Sequence, residues 1–213
     1  MNSSFPVSEA QSLPAWRRPT ALLFVFAAAM PLSFAVWSAL LNNFVVEVVN
    51  FDGSDIGLLH TVREIPGFFA VGVIAILVFM HEQILGLVSL ALLGVATAVT
   101  AWFPSIGGIL TITMLSSIGF HYFETVKNSL SLQWLSKEEA PQVLGKLIAV
   151  GSITSLILYG VIWCFLEIFN IDYLYIFLLC GIVCIGIAIY LQITFPLFKP
   201  LNNQNKNIVL RKK

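Results

Sequence analysis

The sequence predicts an all-α fold: a membrane-spanning bundle of six helices. Three observations predict it. The 213 residues are 58% hydrophobic and only 10% charged, with a mean hydropathy of +0.91. A soluble domain carries roughly a quarter charged residues, so the bilayer is the natural solvent for this chain. Six segments are apolar over the ~20 residues that a helical span needs. The breaks between them, "NFDGSD", "MHEQ", "FPS", "SKEEA" and "NID", are short, so neighbouring helices run antiparallel.

The first segment is Thr20–Val46. Arg17 and Arg18 before it resemble the start of a signal sequence, but the apolar run continues past "AAAM" to Leu41. That is too long for a signal's apolar core, so residues 1–19 read as a cytoplasmic tail ahead of a true span. Pro31 is a candidate kink, and Asn42 and Asn43 add polarity near the helix end.

The second segment, Ile56–Met80, carries His60, Arg63 and Glu64 at i, i+3 and i+4, hence on one helical face. Arg63 and Glu64 are adjacent and about 100° apart, so they need not pair with each other. An arginine at this depth either pairs between helices, snorkels outward, or offers a guanidinium to an anionic ligand. Asn42 and Asn43 lie near its depth. Pro66–Gly67 follow as a second kink site.

The third segment, Ile84–Phe103, has no charge after Glu82, and the sixth, Tyr173–Phe198, has none. Both can face lipid. The three cysteines, Cys164, Cys180 and Cys184, read as small apolar helix residues. The fifth segment, Pro141–Phe169, holds a stripe of small residues at Gly145, Ala149 and Ser152, which favours close helix packing.

The fourth segment, Ile106–Leu135, is the unusual one. On a helical wheel Thr113, Ser117, His121, Glu124, Asn128 and Ser131 fall in a sector of roughly 80°. Ionisable groups inside a membrane are costly and face a bundle interior or a watery cavity. The stripe is therefore either a water-lined pathway or a set of interhelical hydrogen bonds. His121 and Glu124 are the candidates for binding or coupling. Lys127 at its edge is expected to snorkel to the nearby surface.

Charge sets the orientation. Numbering the sides alternately, the side holding the N-terminus receives ten of the eleven basic residues, and the other side's loops receive none. Arg63 is the eleventh, inside the second segment. By the positive-inside rule both termini are cytoplasmic. Residues 199–213 are polar and basic and read as the start of a central cytoplasmic loop.

Other chemistry has no signature. His121-x-x-Glu124 offers two metal ligands from one face, but no further His or Cys pattern joins it. His81–Glu82 lacks a second histidine at zinc-protease spacing. There is no phosphate loop, dinucleotide fingerprint or nucleophile elbow. Basic residues flank the spans and form no patch for nucleic acid. No catalytic residue, metal or cofactor is expected.

The layout resembles the N-terminal half of a major facilitator superfamily transporter. "NNFVVEVVNFDGSDIGLLHTVREIPGFFAVG" is similar to that family's passage from helix one to helix two. "LQWLSKEEAPQVLGKLIAVGSITSLI" is similar to its passage from helix four to helix five. The likeness covers about residues 20–198. The family's Gly-x-x-x-Asp-Arg-x-Gly-Arg-Arg type motif is absent: "AILVFMHEQILGLV" stands there, with only His81, Glu82 and Gly86 reminiscent of it. The resemblance implies two inverted three-helix repeats, with helices one and four lining a central cavity and three and six peripheral. It implies a secondary transporter of a small-molecule substrate, possessing a further C-terminal six-helix half, in a bacterial inner membrane. Its candidate substrate or coupling residues are Arg63, Glu64, His60, His121, Glu124, Asn128, Ser117, Asn42 and Asn43. A stand-alone six-helix protein forming a homodimeric pathway, a membrane-embedded metal-dependent enzyme, and a scaffold subunit are the alternatives.

Overall fold

The computed structural model describes residues 5–199, so the predicted loop beyond residue 199 and its basic residues lie outside the described residues. Seven helices run in order: α1 (Pro19–Glu47), α2 (Gly53–Phe68), α3 (Gly72–Leu77), α4 (Glu82–Val99), α5 (Ile106–Trp134), α6 (Ala140–Trp163) and α7 (Tyr173–Thr194). A π turn, Cys164–Ile168, continues α6. Five of these units are long and apolar enough to cross a membrane: α1, α4 with its following turn, α5, α6 with its π turn, and α7.

The second predicted span departs from expectation. It is broken into α2 and α3 by a turn just after Pro66–Gly67. Sixteen residues reach about 24 Å at 1.5 Å each, short of the ~30 Å hydrocarbon core. Pro66 and Gly67 both weaken a helix, and the chain leaves it two residues after Gly67, at Phe69. Pro31, by contrast, is carried inside an uninterrupted 29-residue α1.

Local chemistry fixes the ends. The Asp52 carboxylate accepts from the Ser54 and Asp55 N–H groups at 2.8 and 3.0 Å, and the Asp55 carboxylate accepts from the Asp52 N–H at 3.2 Å. This is a reciprocal capping box opening α2. Ser105 caps α5 and Asp172 caps α7 in the simpler one-way manner. Asn50 and Asn170 take the left-handed backbone conformation that lets the chain reverse after α1 and after α6.

Packing centres on α4. It lies closely against α5 and α7, while α1 lies against α6 and α7, and α2 against α5. Glycines permit this. A Cβ on Gly181 of α7 would stand 2.5 Å from the Gly94 carbonyl oxygen and the Ala98 nitrogen of α4. A Cβ on Gly119 of α5 would stand 2.9 Å from the Leu93 nitrogen. Helices gain no hydrophobic drive from meeting in lipid, so close backbone approach must supply the attraction. Of the five apolar spans α4 is the most buried, with Val88 and Val95 left exposed on its outer face. The fifth, α6, is the least buried. Its stripe is not a packing seam either, since Gly145, Ala149 and Ser152 are all exposed and a Cβ on Gly145 would meet nothing.

Two apolar cores stack along the bundle. One gathers Phe26, Phe123, Trp134 and Leu191; the other gathers Trp37, Phe44, Ile109 and Phe177. At the first end, strands Phe5–Pro6 and Phe198–Lys199 pair in parallel, so the two described ends of the chain meet. Gln83, 4% exposed, holds that junction with both atoms of its amide. Its Nε2 donates to the Pro196 carbonyl at 3.0 Å, and its Oε1 accepts from the Phe198 N–H at 3.1 Å. We call this the clasp end.

Candidate functional site

Two cavities lie along one side of the bundle, and α1 and α5 contribute to both. The larger, about 630 Å³, is bounded by α1, α5 and α6. Its walls include Met30, Pro31, Ile148 and Gly151, with hydroxyls from Ser38, Ser131, Ser152, Ser155 and Tyr159. Glu124 and Lys127 enter it as an ion pair, one helical turn apart. Both side chains are mostly shielded, at 26% and 17% exposure. Asn128 stands beside them. The cavity is thus mainly apolar, with one internally neutralised pair of charges.

The smaller cavity, about 250 Å³, lies between α1, α2 and α5. Trp37, Arg63, Glu64, Ser116, Ser117 and His121 line it. Arg63 and Glu64 do pair: Nε and Nη2 both reach the same Glu64 oxygen, Oε1, at 2.9 Å. Adjacent positions 100° apart on a helix allow this because both side chains are long enough to bend toward each other. Ser117 donates to the Arg63 backbone carbonyl, tying α5 to α2. His121 lies over Gly67, where a Cβ would come within 3.0 Å of the imidazole. The break after α2 therefore packs directly against the histidine.

Phe34 and Phe120 line both cavities and separate them. Their rings stack at 4.1 Å between centroids and 18° between planes. Each sits near the middle of its 29-residue helix. The partition thus stands at the mid-depth of the bundle, with the larger cavity toward the clasp end.

This geometry sorts the predicted residues. His121 and Glu124 share a helix face but serve different cavities, on opposite sides of the phenylalanine pair. Lys127 does not snorkel; it is held by Glu124. His60 is half-buried and lines neither cavity, and the exposed Asn42 and Asn43 do not join Arg63 in one. Part of the polar stripe is spent within the bundle: Thr113 is fully buried, Ser117 gives its hydroxyl to the Arg63 carbonyl, and Ser131 returns its hydroxyl to the Lys127 carbonyl at 2.8 Å. Among the described residues no three His, Cys, Asp or Glu side chains converge as metal ligands would. Phe34 and Phe120 carry no polar signal and were not legible as site residues. Their trace in sequence is an aromatic at the centre of each of the first and fourth spans.

Fold and cavities together define the class: an all-α chain with five helices apolar enough to cross a membrane and a divided, partly polar cavity on one side. No protein-family model, curated protein or solved structure matches the chain.

Proposed function

We propose that this chain is a six-pass transporter unit that moves a small solute by alternating access, on the plan of the N-terminal half of a major facilitator transporter. The observation that carries the reading is the larger cavity. It holds a Glu124–Lys127 pair, and its open side is rimmed by exposed Ser38, Asn128 and Ser152. Polar groups on an otherwise lipid-soluble surface need water or protein over them. A central solute pathway supplies both.

The packing supports the inverted-repeat plan. In order of predicted spans, exchanging first with fourth, second with fifth and third with sixth turns α1–α6 contact into α5–α2, and α1–α7 contact into α5–α4. The α4–α7 contact maps onto itself. These are the principal neighbour pairs of the bundle, as two inverted three-helix units require. The clasp supports an even number of passes, because it sets the ends of the bundle side by side. The broken α2–α3 segment is then the second pass. The completing unit is a second six-helix bundle or a second copy of this chain, docked on the open side of α1, α2, α5 and α6.

On this reading Glu124 and Lys127 exchange their mutual pairing for contacts with solute or proton during the cycle, and His121 serves the compartment beyond the phenylalanine pair. Proteoliposomes containing the full chain test it. Solute-evoked proton movement is recorded with a trapped pH dye for wild type, Glu124→Gln and His121→Ala. Loss of the response in Glu124→Gln is expected. Absence of any solute-evoked flux in wild type across amino acids, sugars and organic ions would refute the transport reading. Intact flux with unchanged pH dependence in both variants would refute the coupling roles.

A further inference from the structure

We propose that the smaller cavity is a binding site in its own right and takes a small zwitterion, a molecule the size of glycine or alanine with a carboxylate and an ammonium group on one carbon.

The polar groups of its lining are unequally used. Arg63 spends Nε and Nη2 on one oxygen of Glu64. Among the described residues nothing bonds Arg63 Nη1 or Glu64 Oε2. One edge of a guanidinium and one oxygen of a carboxylate are therefore left at the same cavity. The Trp37 indole N–H is a third unused group. Trp37 is 2% exposed, lines this cavity, and its Nε1 has no hydrogen-bond partner. A buried donor without an acceptor is costly, and such groups are ordinarily satisfied. A small turn of the indole toward a ligand oxygen in the cavity would satisfy it.

Charge and shape narrow the ligand. Arg63 and Glu64 cancel, so a ligand of net charge would be desolvated without full compensation. A zwitterion places its carboxylate by Arg63 and Trp37 and its ammonium by the second Glu64 oxygen. At about 30 Å³ per water, a cavity of about 250 Å³ has room for roughly eight waters, so a molecule the size of alanine fits with several waters beside it. Glu64, the more exposed of the pair at 56%, stands at the mouth, and Trp37 stands at the buried end. The ligand thus enters ammonium last.

The proposal is independent of transport and is tested by binding. The full chain is purified in nanodiscs and labelled alanine is measured by scintillation proximity, with glycine, acetate and ethylamine as competitors. Saturable alanine binding is expected, with glycine competing and each single-charge analogue about tenfold or more weaker, as loss of a charged hydrogen bond implies. Glu64→Gln and Arg63→Gln are each expected to weaken alanine by a similar factor. Trp37→Phe, which removes the N–H and keeps an aromatic ring, is expected to weaken it less. Should Arg63→Gln or Glu64→Gln elute as aggregate on gel filtration, Trp37→Phe decides, and unchanged affinity there overturns the proposal. It is equally overturned if folded wild type shows no saturable alanine binding, or if acetate competes as well as glycine. Binding without flux in proteoliposomes would count against the transport reading alone, and flux without alanine binding against this proposal alone.

Discussion

Replacing Gly181 with alanine should loosen the bundle at its tightest contact. The new methyl would lie 2.5 Å from both the Gly94 oxygen and the Ala98 nitrogen, and 2.6 Å from the Ala98 Cβ. Two of these atoms are backbone and cannot rotate away. Ordinary contact begins near 3.4 Å, so α4 and α7 must part by nearly 1 Å at this point. Overpacking of this kind costs about 1–3 kcal/mol. Gly186 on the same helix is the control, since a Cβ there meets nothing within 4 Å. Alanine at 186 should be neutral or slightly stabilising, because it has the better helix propensity. Thermal unfolding in mild detergent, followed by circular dichroism and gel filtration, measures both. A melting temperature several degrees lower for Gly181→Ala and unchanged or higher for Gly186→Ala is expected. Equal melting temperatures would show that the α4–α7 contact is not what holds these helices together.

Other outcomes follow from the cavities and caps. Glu124→Gln leaves Lys127 uncompensated in a shielded site, and at 17–26% exposure the loss should lie near 1–3 kcal/mol, between surface and buried pairs. The double variant Glu124→Gln with Lys127→Met should recover most of it in the same unfolding assay. Phe34→Ala should merge the two cavities, and cysteines placed at Ser116 and Asn128 in a background lacking native cysteines should then react with the same water-soluble thiol reagent from one side. Gly67→Val should push the His121 imidazole from its seat and reduce labelling at Ser116, with little change at Asn128. The backbone N–H groups of Asp55 and Ser54 and the Ser54 hydroxyl hold the Asp52 carboxyl below its ordinary value. That stabilisation is present above the unfolded carboxylate value of about 4 and is lost as pH falls through the lower folded one. The stability gap between wild type and Asp52→Ala should therefore be full at pH 6 and should shrink in acid; a gap unchanged in acid would show that the capping carboxylate contributes nothing.

Much of this architecture was legible in the chain because membranes demand it. Lipid forces each pass to satisfy its own backbone, so apolar length alone located five helices closely. The second predicted span was misjudged as continuous. Hydropathy sees that "EIPGFFAVG" is apolar, but not that Pro66 and Gly67 stop a helix when no neighbour straightens it. The burial of α4 was missed for a related reason. Absence of charge permits lipid exposure, while Gly86, Ser89, Gly94 and Ala98 were the available signal that other helices approach closely. The helical wheel placed His121 and Glu124 on one face correctly. It carried no information about Phe120 between them, whose stacking on Phe34 depends on how far apart α1 and α5 stand. Arg63 and Glu64 show the same limit. Cα directions on a wheel do not determine where long side chains end.

The strand pair at the clasp end has a consequence for chain connectivity. Paired strands lie about 4.8 Å apart, so residues 5 and 199 can be joined by a linker of a few residues. New ends could be cut at the exposed Lys137–Glu138, near the same end of the bundle, where Trp134 packs on Phe198 at 5.4 Å. Such a circular permutant keeps every helix in its original place in the bundle. It would begin with α6 and α7 and finish with α5, so that α5 is made last instead of just before α6. If it inserts and folds, the order of synthesis is dispensable and packing alone directs assembly; if it fails while the linear chain succeeds, α5 must be in place before α6 and α7 are made.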